Sequence, residues 1–586
     1  MRFNFQTTSV LILFIAILLK FPLALVYCFY NLSYHFYFEL CSDAIIAALA
    51  FFLILFRNDT KLPAILPTVA VLTFIVTALA QSFFFFRTDY LLNSLLPVVL
   101  IVFGWRYGAE CRKLMPFALG VFWLLNFALS LRKLGNVTFH YGITGNWNWS
   151  ASLLIISTAA LCYLIYKSDL RRSVKNSAII IIGIASLWQF SLYPSRGSLL
   201  ALFGTLFCFG VIALFRHNRN AGIVVLSLFL LVTIAAVSLI IFKIDDLHDA
   251  RVYLFPTALR IIGQHPWLGV SPWLYEDFSF LNCQPGYFLI TFVAERSPHP
   301  HNQFLFIAAS YGLLAFAAWF YLIFRPLPTI IKKTFTAESS LLLFSFMVLL
   351  ISGMVDVTLE SWPCKYLFLL IAGIFWHDFM PTKQFKPQRN TKTLSQSVAV
   401  MFLCTALYFA ILGGWSSWLY RSGCKNVDIG NGPLAIRQLA QSAKILPSPF
   451  ALYQAGLIAL YDAKQPDAAL SYFSRIPTLT GHNNFLNYNN SMARIYCLRN
   501  EPEKALPYFE KETQLYPYGV LNWFFYAQTL AKLGRTEQAA VAKTSFETAL
   551  KAKNLTMEDL PYLMKNHLFD LRPDKLRAYL KNKDNQ

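Results

Sequence analysis

The chain has 586 residues, of which 56% are hydrophobic and only 14% charged, and its formal net charge is +20. This hydrophobicity excludes a disordered chain, and the size with only 10 cysteines excludes a disulfide-rich secreted scaffold. No nucleic-acid partner is expected, because the basic residues come in short clusters between apolar stretches. What remains is a polytopic membrane protein with room for one extra soluble domain.

About thirteen apolar stretches approach the roughly 20 residues that cross a bilayer. Their Leu-, Ile- and Phe-rich texture favours helices over a β-barrel. The first is expected to be a span and not a cleaved signal peptide, because no small-residue cleavage site follows it. We therefore predict an all-α, polytopic fold with about 12–13 transmembrane helices in residues 1–420. The predicted spans are 10–30, 42–56, 64–86, 89–105, 114–131, 149–166, 176–193, 198–215, 221–242, 303–324, 339–357, 363–380 and 396–419.

The distribution of basic residues predicts the orientation, since cytoplasmic loops carry an excess of Lys and Arg. With a cytoplasmic N-terminus, the predicted inside segments hold 19 basic residues and the outside loops hold 9. The largest loop, roughly 243–301, then faces outside. With thirteen spans, residues 421–586 lie on the same face.

Residues 421–586 form a second predicted domain, which is polar and helix-forming. Ala435, Ala469, Ala505 and Ala539 mark equivalent points at spacings of 34, 36 and 34 residues. A helix-turn-helix period of about 34 residues is typical of tetratricopeptide repeats, where a small residue lets helices approach closely. We predict an α-solenoid of this type, which either binds a peptide or protein or only stabilises the membrane domain.

Four polar segments interrupt the apolar pattern on the predicted outer face, where such residues indicate function. Arg196 lies in a tight turn between Pro194 and Gly197, although an arginine at a span end also reaches towards lipid headgroups. Arg251 and Arg260 lie on a predicted amphipathic helix of the long loop. The alternative is an interfacial helix whose basic residues meet lipid headgroups, and it applies more to Arg260 than to Arg251.

The other two segments carry histidines and carboxylates. His299, His301 and Asn302 directly precede an apolar span. A histidine there suits a general base at least as well as a metal ligand, because two residues do not complete a metal site. Asp356 and Glu360 flank a short turn. Three interpretations are open for these carboxylates: they orient an acceptor, they pair with the arginines, or they are simply solvated.

Two outer arginines with one histidine suit a diphosphate leaving group and a hydroxyl nucleophile. The guanidinium fork binds phosphate through two hydrogen bonds, and fixed cations stabilise the charge that develops on departure. Residues 245–249 are the nearest approach to a metal cluster, but no second cluster completes them. We therefore expect no metal and no cofactor.

At these motifs the chain resembles the O-antigen ligase and O-linked oligosaccharyltransferase superfamily, with the related O-antigen polymerases. The resembling elements occur in order over about 140–370. They are Gly145-Asn146-Trp147-Asn148, Ser195-Arg196-Gly197, Arg251 with 265–270, His301-Asn302 with Tyr311-Gly312-Leu313-Leu314, and Leu359-Glu360-Ser361-Trp362-Pro363. Ser271 stands where a glycine is usual, and one extra residue precedes Pro363.

The resemblance implies a GT-C-like enzyme of the bacterial inner membrane whose active site and C-terminal domain face the periplasm. A glycan would pass from undecaprenyl diphosphate to an acceptor hydroxyl on a protein or on lipid A core, with inversion and without a metal. Arg196 and Arg251 would hold the diphosphate, and His301 would be the base. Supporting roles would fall to His299, Asn302, Glu360, Arg260 and Asn146.

Two alternatives remain at this point. One is a polymerase with the same chemistry but a lipid-linked glycan as acceptor. The other is a lipid-linked-glycan transporter or a membrane scaffold. A transporter is expected to carry charged residues near mid-membrane, whereas Lys20 is the one plainly placed inside a predicted span.

Overall fold

The structure is a computed structural model in which the chain folds almost entirely into helices. It describes residues 5–28, 32–56, 61–63, 65–84, 91–132, 144, 146–193, 195–218, 220–225, 227, 250–272, 274–288, 297–332, 336–380, 382–384, 389–553 and 555–566.

The helices before residue 430 follow the apolar stretches of the sequence. They are α1 (Phe5–Cys28), α2 (Leu32–Phe56), α3 (Ile65–Phe84), α4 (Leu91–Arg106), α5 (Gly108–Arg132), α6 (Trp147–Lys167), α7 (Arg172–Leu192), α8 (Arg196–His217), α9 (Arg251–Gln264), α10 (Tyr275–Asn282), α11 (Gln303–Phe324), α12 (Leu327–Lys332), α13 (Ala337–Val355), α14 (Trp362–Phe379) and α15 (Arg389–Asp428). A 3₁₀ turn, Thr358–Glu360, joins α13 to α14. Two short strands, Lys61–Pro63 and Thr382–Gln384, pair antiparallel with Lys61 opposite Gln384.

Seven helices among the described residues are long and apolar enough to cross a membrane, and four shorter apolar helices accompany them. Every predicted span overlaps one of α1–α8, α11 or α13–α15 except 221–242, most of which lies outside the described residues. The prediction of an all-helical, multi-pass membrane protein is confirmed.

Helix α14 forms the centre of the membrane core. It packs against α4, α5 and α13, and its residues from Trp362 to Trp376 are almost all buried. A helix that is apolar on every side is expected in the middle of a bundle, where no face meets solvent. Because α14 follows the 3₁₀ turn directly, this central helix also fixes the position of the polar segment before it.

Lys20 is buried in the core and does not reach the surface. Its Nζ lies 2.5 Å from Asp43 Oδ1 and donates to Tyr366 Oη at 3.0 Å. The lysine is 2% exposed and the aspartate 6% exposed. A buried charge persists when a partner and hydrogen bonds compensate the lost hydration, so this cluster joins α1, α2 and α14.

The region after Asp428 is helical throughout its described part. Its helices are α16 (Gly432–Ile445), α17 (Pro449–Leu457), α18 (Pro466–Phe473), α19 (Ile476–Thr480), α20 (Tyr488–Leu498), α21 (Pro502–Leu515), α22 (Val520–Lys532), α23 (Thr536–Ala552) and α24 (Leu560–Asn566). Successive helices pack on one another, for example α20 on α21 and α22 on α23. The repeat-marking residues Ala435, Ala469 and Ala505 are fully buried.

The tetratricopeptide-like assignment and the domain boundary at residue 420 stay predictions. Helix α15 runs without a break from Arg389 to Asp428, across that boundary. No disulfide joins Cys424 to Cys497, and the Sγ of Cys497 lies 3.5 Å from Thr529 Oγ1.

Candidate active site

His301 lies in the turn that leads into α11, where the next residue caps the helix. Asn302 Oδ1 accepts a hydrogen bond from the backbone N–H of Leu305 at 3.0 Å, and its amide donates to the carbonyl of Met354 at 2.8 Å. Asn302 therefore fastens the start of α11 to the end of α13. His301 has a φ of 53°, the left-handed region that residues other than glycine rarely adopt. Such strain at a polar residue is typical of functional sites.

The ring of His301 is oriented by a buried carboxylate. Its Nδ1 lies 3.1 Å from Asp356 Oδ1, while about a third of the histidine side chain stays exposed. Asp356 also accepts the backbone N–H of Val357 at 2.7 Å and the side-chain amide of Asn148 at 3.1 Å. With both carboxylate oxygens accepting, a neutral His301 carries its proton on Nδ1 and presents a free lone pair on Nε2.

The carboxylate of Asp356 is held in its charged form although it is 4% exposed. Burial by itself raises the pKa of this group. The hydrogen bond from His301, the attraction of that imidazole when it is protonated and the N–H of Val357 outweigh burial, so the pKa of Asp356 lies below its ordinary value.

His299 packs edge-on against His301, with ring centroids 4.6 Å apart. Burial, together with the smaller effect of the neighbouring His301, lowers the pKa of His299 to about 4. His299 is therefore neutral at physiological pH. No hydrogen bond joins its buried Nδ1 to any residue within the described ranges.

A cavity of about 240 Å³ opens beside His299. Its lining combines apolar side chains, which include Phe306, Trp319 and Phe368, with polar ones. Glu360 is among the polar lining residues, and its carboxylate accepts from Gln303 Nε2 at 2.7 Å and lies 3.3 Å from Lys365 Nζ. Its carboxylate is thus balanced locally by a lysine. A cavity lined by both apolar and polar side chains suits an amphipathic ligand.

Arg196 is the first residue of α8, and its side chain is exposed. It makes no hydrogen bond or ion pair with another described residue, so its donors are available to a ligand. Ser195 caps the helix by accepting the N–H of Ser198 at 3.1 Å. Gly197 faces Val355, since a Cβ added there would lie 3.2 Å from Val355 Cγ2. The start of α8 therefore lies beside the end of α13 that carries Asp356.

A chain of buried hydroxyls holds these helix ends together. Ser198 Oγ donates to the carbonyl of Asn148 at 2.8 Å, and Ser152 Oγ lies 2.8 Å from both Ser198 Oγ and Ser352 Oγ. These contacts join α6, α8 and α13, and buried hydroxyls are stable only when paired in this way. Asn146 lies just before α6 and caps that helix, because its side chain accepts the N–H of Asn148 at 2.9 Å.

The long-loop arginines lie at different places on α9. Arg251 is the first residue of the helix and is partly buried, while Arg260 lies nine residues further on, about 13 Å along the axis. Arg260 Nη1 donates to the carbonyl of Asn282 at 2.6 Å and so braces α9 against α10. The two arginines do not share one end of the helix.

The motif after α9 docks into a break in α11. Gly312 has φ 80° and ψ 167°, which interrupts the helix. The backbone groups that lose their helical partners at this break bond to the loop instead. The N–H of Val270 donates to the carbonyl of Ala309 at 3.0 Å, and the N–H of Leu313 donates to the carbonyl of Pro266 at 2.7 Å. A Cβ on Gly312 would meet the carbonyl of Trp267, so only glycine fits. This joint anchors the long loop in the membrane core.

The C-terminal helices contact the long loop directly. Tyr516 packs edge-on against Phe288 with centroids 5.1 Å apart, in one apolar cluster with Leu254 of α9. His482 Nε2 lies 3.0 Å from Asp277 Oδ2 of α10. The helix that begins with Arg251 is therefore supported from two sides, by α11 and by the C-terminal region.

The structure brings His301, His299, Asn302, Glu360 and Asn146 to one end of the bundle, with the start of α8 beside them. Asn148 and Asp356 complete this end. The sequence singled out Asp356 as one of two carboxylates at a short turn and Asn148 only as part of a resembling element, and it predicted neither their contact with each other nor the pairing of Asp356 with His301. Residues 245–249 lie outside the described ranges, and no three metal-ligating residues cluster within those ranges.

The fold and this geometry define a multi-pass helical membrane protein with a histidine–carboxylate pair where several helix ends meet. Residues 150–320 match the O-antigen ligase family. The chain thus carries a domain of that family, which implies transfer of a glycan. The matched segment contains Arg196, Arg251 and His301. No curated protein matches the chain.

Proposed function

We propose that this protein is a periplasm-facing, metal-independent enzyme that moves a glycan from undecaprenyl diphosphate to an acceptor hydroxyl. The acceptor is a serine or threonine of a protein or a sugar of lipid A core. The observation that carries the proposal is the His301–Asp356–Asn148 chain, in and beside the segment that matches the O-antigen ligase family.

His301 acts as the general base. The charged Asp356 fixes the proton on Nδ1, so the exposed Nε2 takes the proton from the acceptor hydroxyl. The acceptor oxygen then attacks the anomeric carbon on the face opposite the diphosphate. The new carbon–oxygen bond forms as the bond to the diphosphate oxygen breaks, and the configuration inverts.

Arg196 and Arg251 stabilise the leaving diphosphate. Its charge grows as the glycosidic bond breaks, so guanidinium groups that bind its oxygens lower the barrier most in the transition state. The exposed Arg196 has unused donors within the described structure, which supports this role. The cavity beside His299 has the mixed apolar and polar lining that suits an amphipathic substrate.

The test is transfer in proteoliposomes that contain undecaprenyl-diphosphate-linked glycan. Three arms receive a serine- and threonine-rich periplasmic protein, lipid A core, or no added acceptor. We expect product in one of the first two arms and at least a 100-fold loss in His301→Ala and Arg196→Ala. Arg172→Ala is the matched control, because Arg172 is also exposed and also begins a helix.

Wild-type rates in both site variants would refute the assigned roles. Product only in the arm without added acceptor, as a polymer of the donor glycan, would replace this function with polymerisation. Passage of the lipid-linked glycan across the bilayer without any new glycosidic bond would show a transporter.

A further inference from the structure

A groove with a cationic edge lies in the C-terminal region, far along the chain from the candidate active site. It is a cavity of about 220 Å³ between α20, α21 and α22. Arg494 and Leu498 line it from α20, and Phe525, Gln528 and Lys532 line it from α22. Spacings of four, and of three and seven residues, place these side chains on one face of each helix. We call this cavity the cationic groove.

Two aromatic rings hold the guanidinium of Arg494 in a fixed orientation within the cationic groove. Its guanidinium carbon lies 4.9 Å from the ring centroid of Tyr461 and 4.2 Å from that of Phe525. Stacking on rings orients the guanidinium but leaves the N–H donors at its edge unused. No hydrogen bond or ion pair joins Arg494 to another residue of the described region. The side chain is half-buried, so its orientation is fixed before a ligand arrives.

The net positive charge of the cationic groove favours an anionic ligand. Arg494 and Lys532 are its two charged side chains, and no carboxylate is among the described residues that line it. Lys532 is exposed and donates to Asn500 Oδ1 at 2.8 Å, which leaves its charge uncompensated. The nearby Glu501 does not neutralise the groove, because it pairs with Arg499 at 2.9 Å and with Lys504 at 2.5 Å.

We propose that the cationic groove binds an acidic peptide segment. A carboxylate of the peptide accepts two hydrogen bonds from the edge of Arg494, and a second carboxylate meets Lys532. An apolar side chain of the same segment packs on Leu498 and Phe525. The combination of apolar and cationic side chains in one groove matches a peptide that alternates acidic and apolar residues. This site is separate from glycan transfer and does not depend on it.

The test measures fluorescence anisotropy on the full-length protein in nanodiscs of uncharged lipid. The probe is a fluorescein-labelled peptide of alternating glutamate and leucine, and its glutamine counterpart is the control peptide. We expect saturable binding of the acidic peptide that weakens with added salt. Arg494→Gln should raise Kd at least tenfold and Lys532→Gln at least threefold. Lys543→Gln, an exposed lysine of α23 outside the groove, should stay within twofold.

Because Arg494 packs between two rings, circular dichroism must show that Arg494→Gln keeps its helices. If that variant unfolds, the exposed Lys532→Gln decides the test. Absence of saturable binding by the acidic peptide would overturn the proposal. An equal loss of peptide affinity in the groove variants and in Lys543→Gln would also overturn the proposal, since it would indicate general electrostatic attraction and not a specific site. Binding of an oligoglucuronate probe but not of the peptide would assign the groove to an acidic glycan instead.

Discussion

Replacing a single buried lysine is expected to stabilise the C-terminal region in a pH-dependent way. Lys553 is 1% exposed, and its Nζ lies 2.5 Å from the hydroxyl of Tyr516. Burial lowers the pKa of Lys553 from 10.5 to about 7. Between these two pH values the unfolded chain binds a proton that the folded chain lacks. Stability therefore rises with pH from about 7 to about 10.5.

The size of the stability change follows from the two pKa values of Lys553. At about 1.4 kcal/mol per pH unit, the depressed pKa costs the fold roughly 4 kcal/mol at pH 7 and less than about 1 kcal/mol at pH 10. Lys553→Met removes this cost but also removes the hydrogen bond to Tyr516, which contributes about 1 kcal/mol. We expect a net gain of roughly 3 kcal/mol at pH 7 that disappears near pH 10.

Pulse proteolysis across a urea series measures this effect on the detergent-solubilised protein at the two pH values. Cleavage between residues 502 and 552 reports the unfolding of α21–α23. The matched control is Lys551→Met, since Lys551 is exposed in the last turn of α23, two residues before Lys553, and should change stability by less than about 0.5 kcal/mol. The same stability change in Lys553→Met at pH 7 and at pH 10 would refute the reasoning.

Three further substitutions test the candidate active site and the contact between the loop after α9 and the break in α11. Asp356→Asn keeps the size of the side chain but no longer fixes the tautomer of His301, so transfer should fall on the order of 10³–10⁴-fold in the proteoliposome assay. A rate near wild type would contradict this. Gly312→Ala should destabilise the protein by at least about 2 kcal/mol in a thermal-shift series, because φ is 80° and the new Cβ meets a backbone carbonyl. Gly263→Ala, with open space at the Cβ position, is its control. Ser271→Gly should raise stability by about 1 kcal/mol, since Ser271 has a φ of 70°; a lower melting temperature would show that its side chain makes a needed contact.

The sequence located most of the polar residues at the candidate site, but it did not predict how they pair. The position of Ser271 is instructive, because a serine stands where a glycine is usual, and the structure shows it in the left-handed region. The supporting role of Glu360 stays a prediction, and the structure adds that its carboxylate pairs with Gln303 and Lys365. Lys20 was read as a single charge within a span, and its partner Asp43 became evident only in the packed core.

The sequence by itself determined the helical, membrane-spanning fold, since runs of about 20 apolar residues have few other stable arrangements in a bilayer. Only the tertiary structure decided which polar groups meet. His301 and Asp356 are 55 residues apart, and Asn148 and Asp356 are 208 apart. Such contacts depend on how the ends of α6, α11 and α13 pack, and hydropathy carries no information on which ends become neighbours.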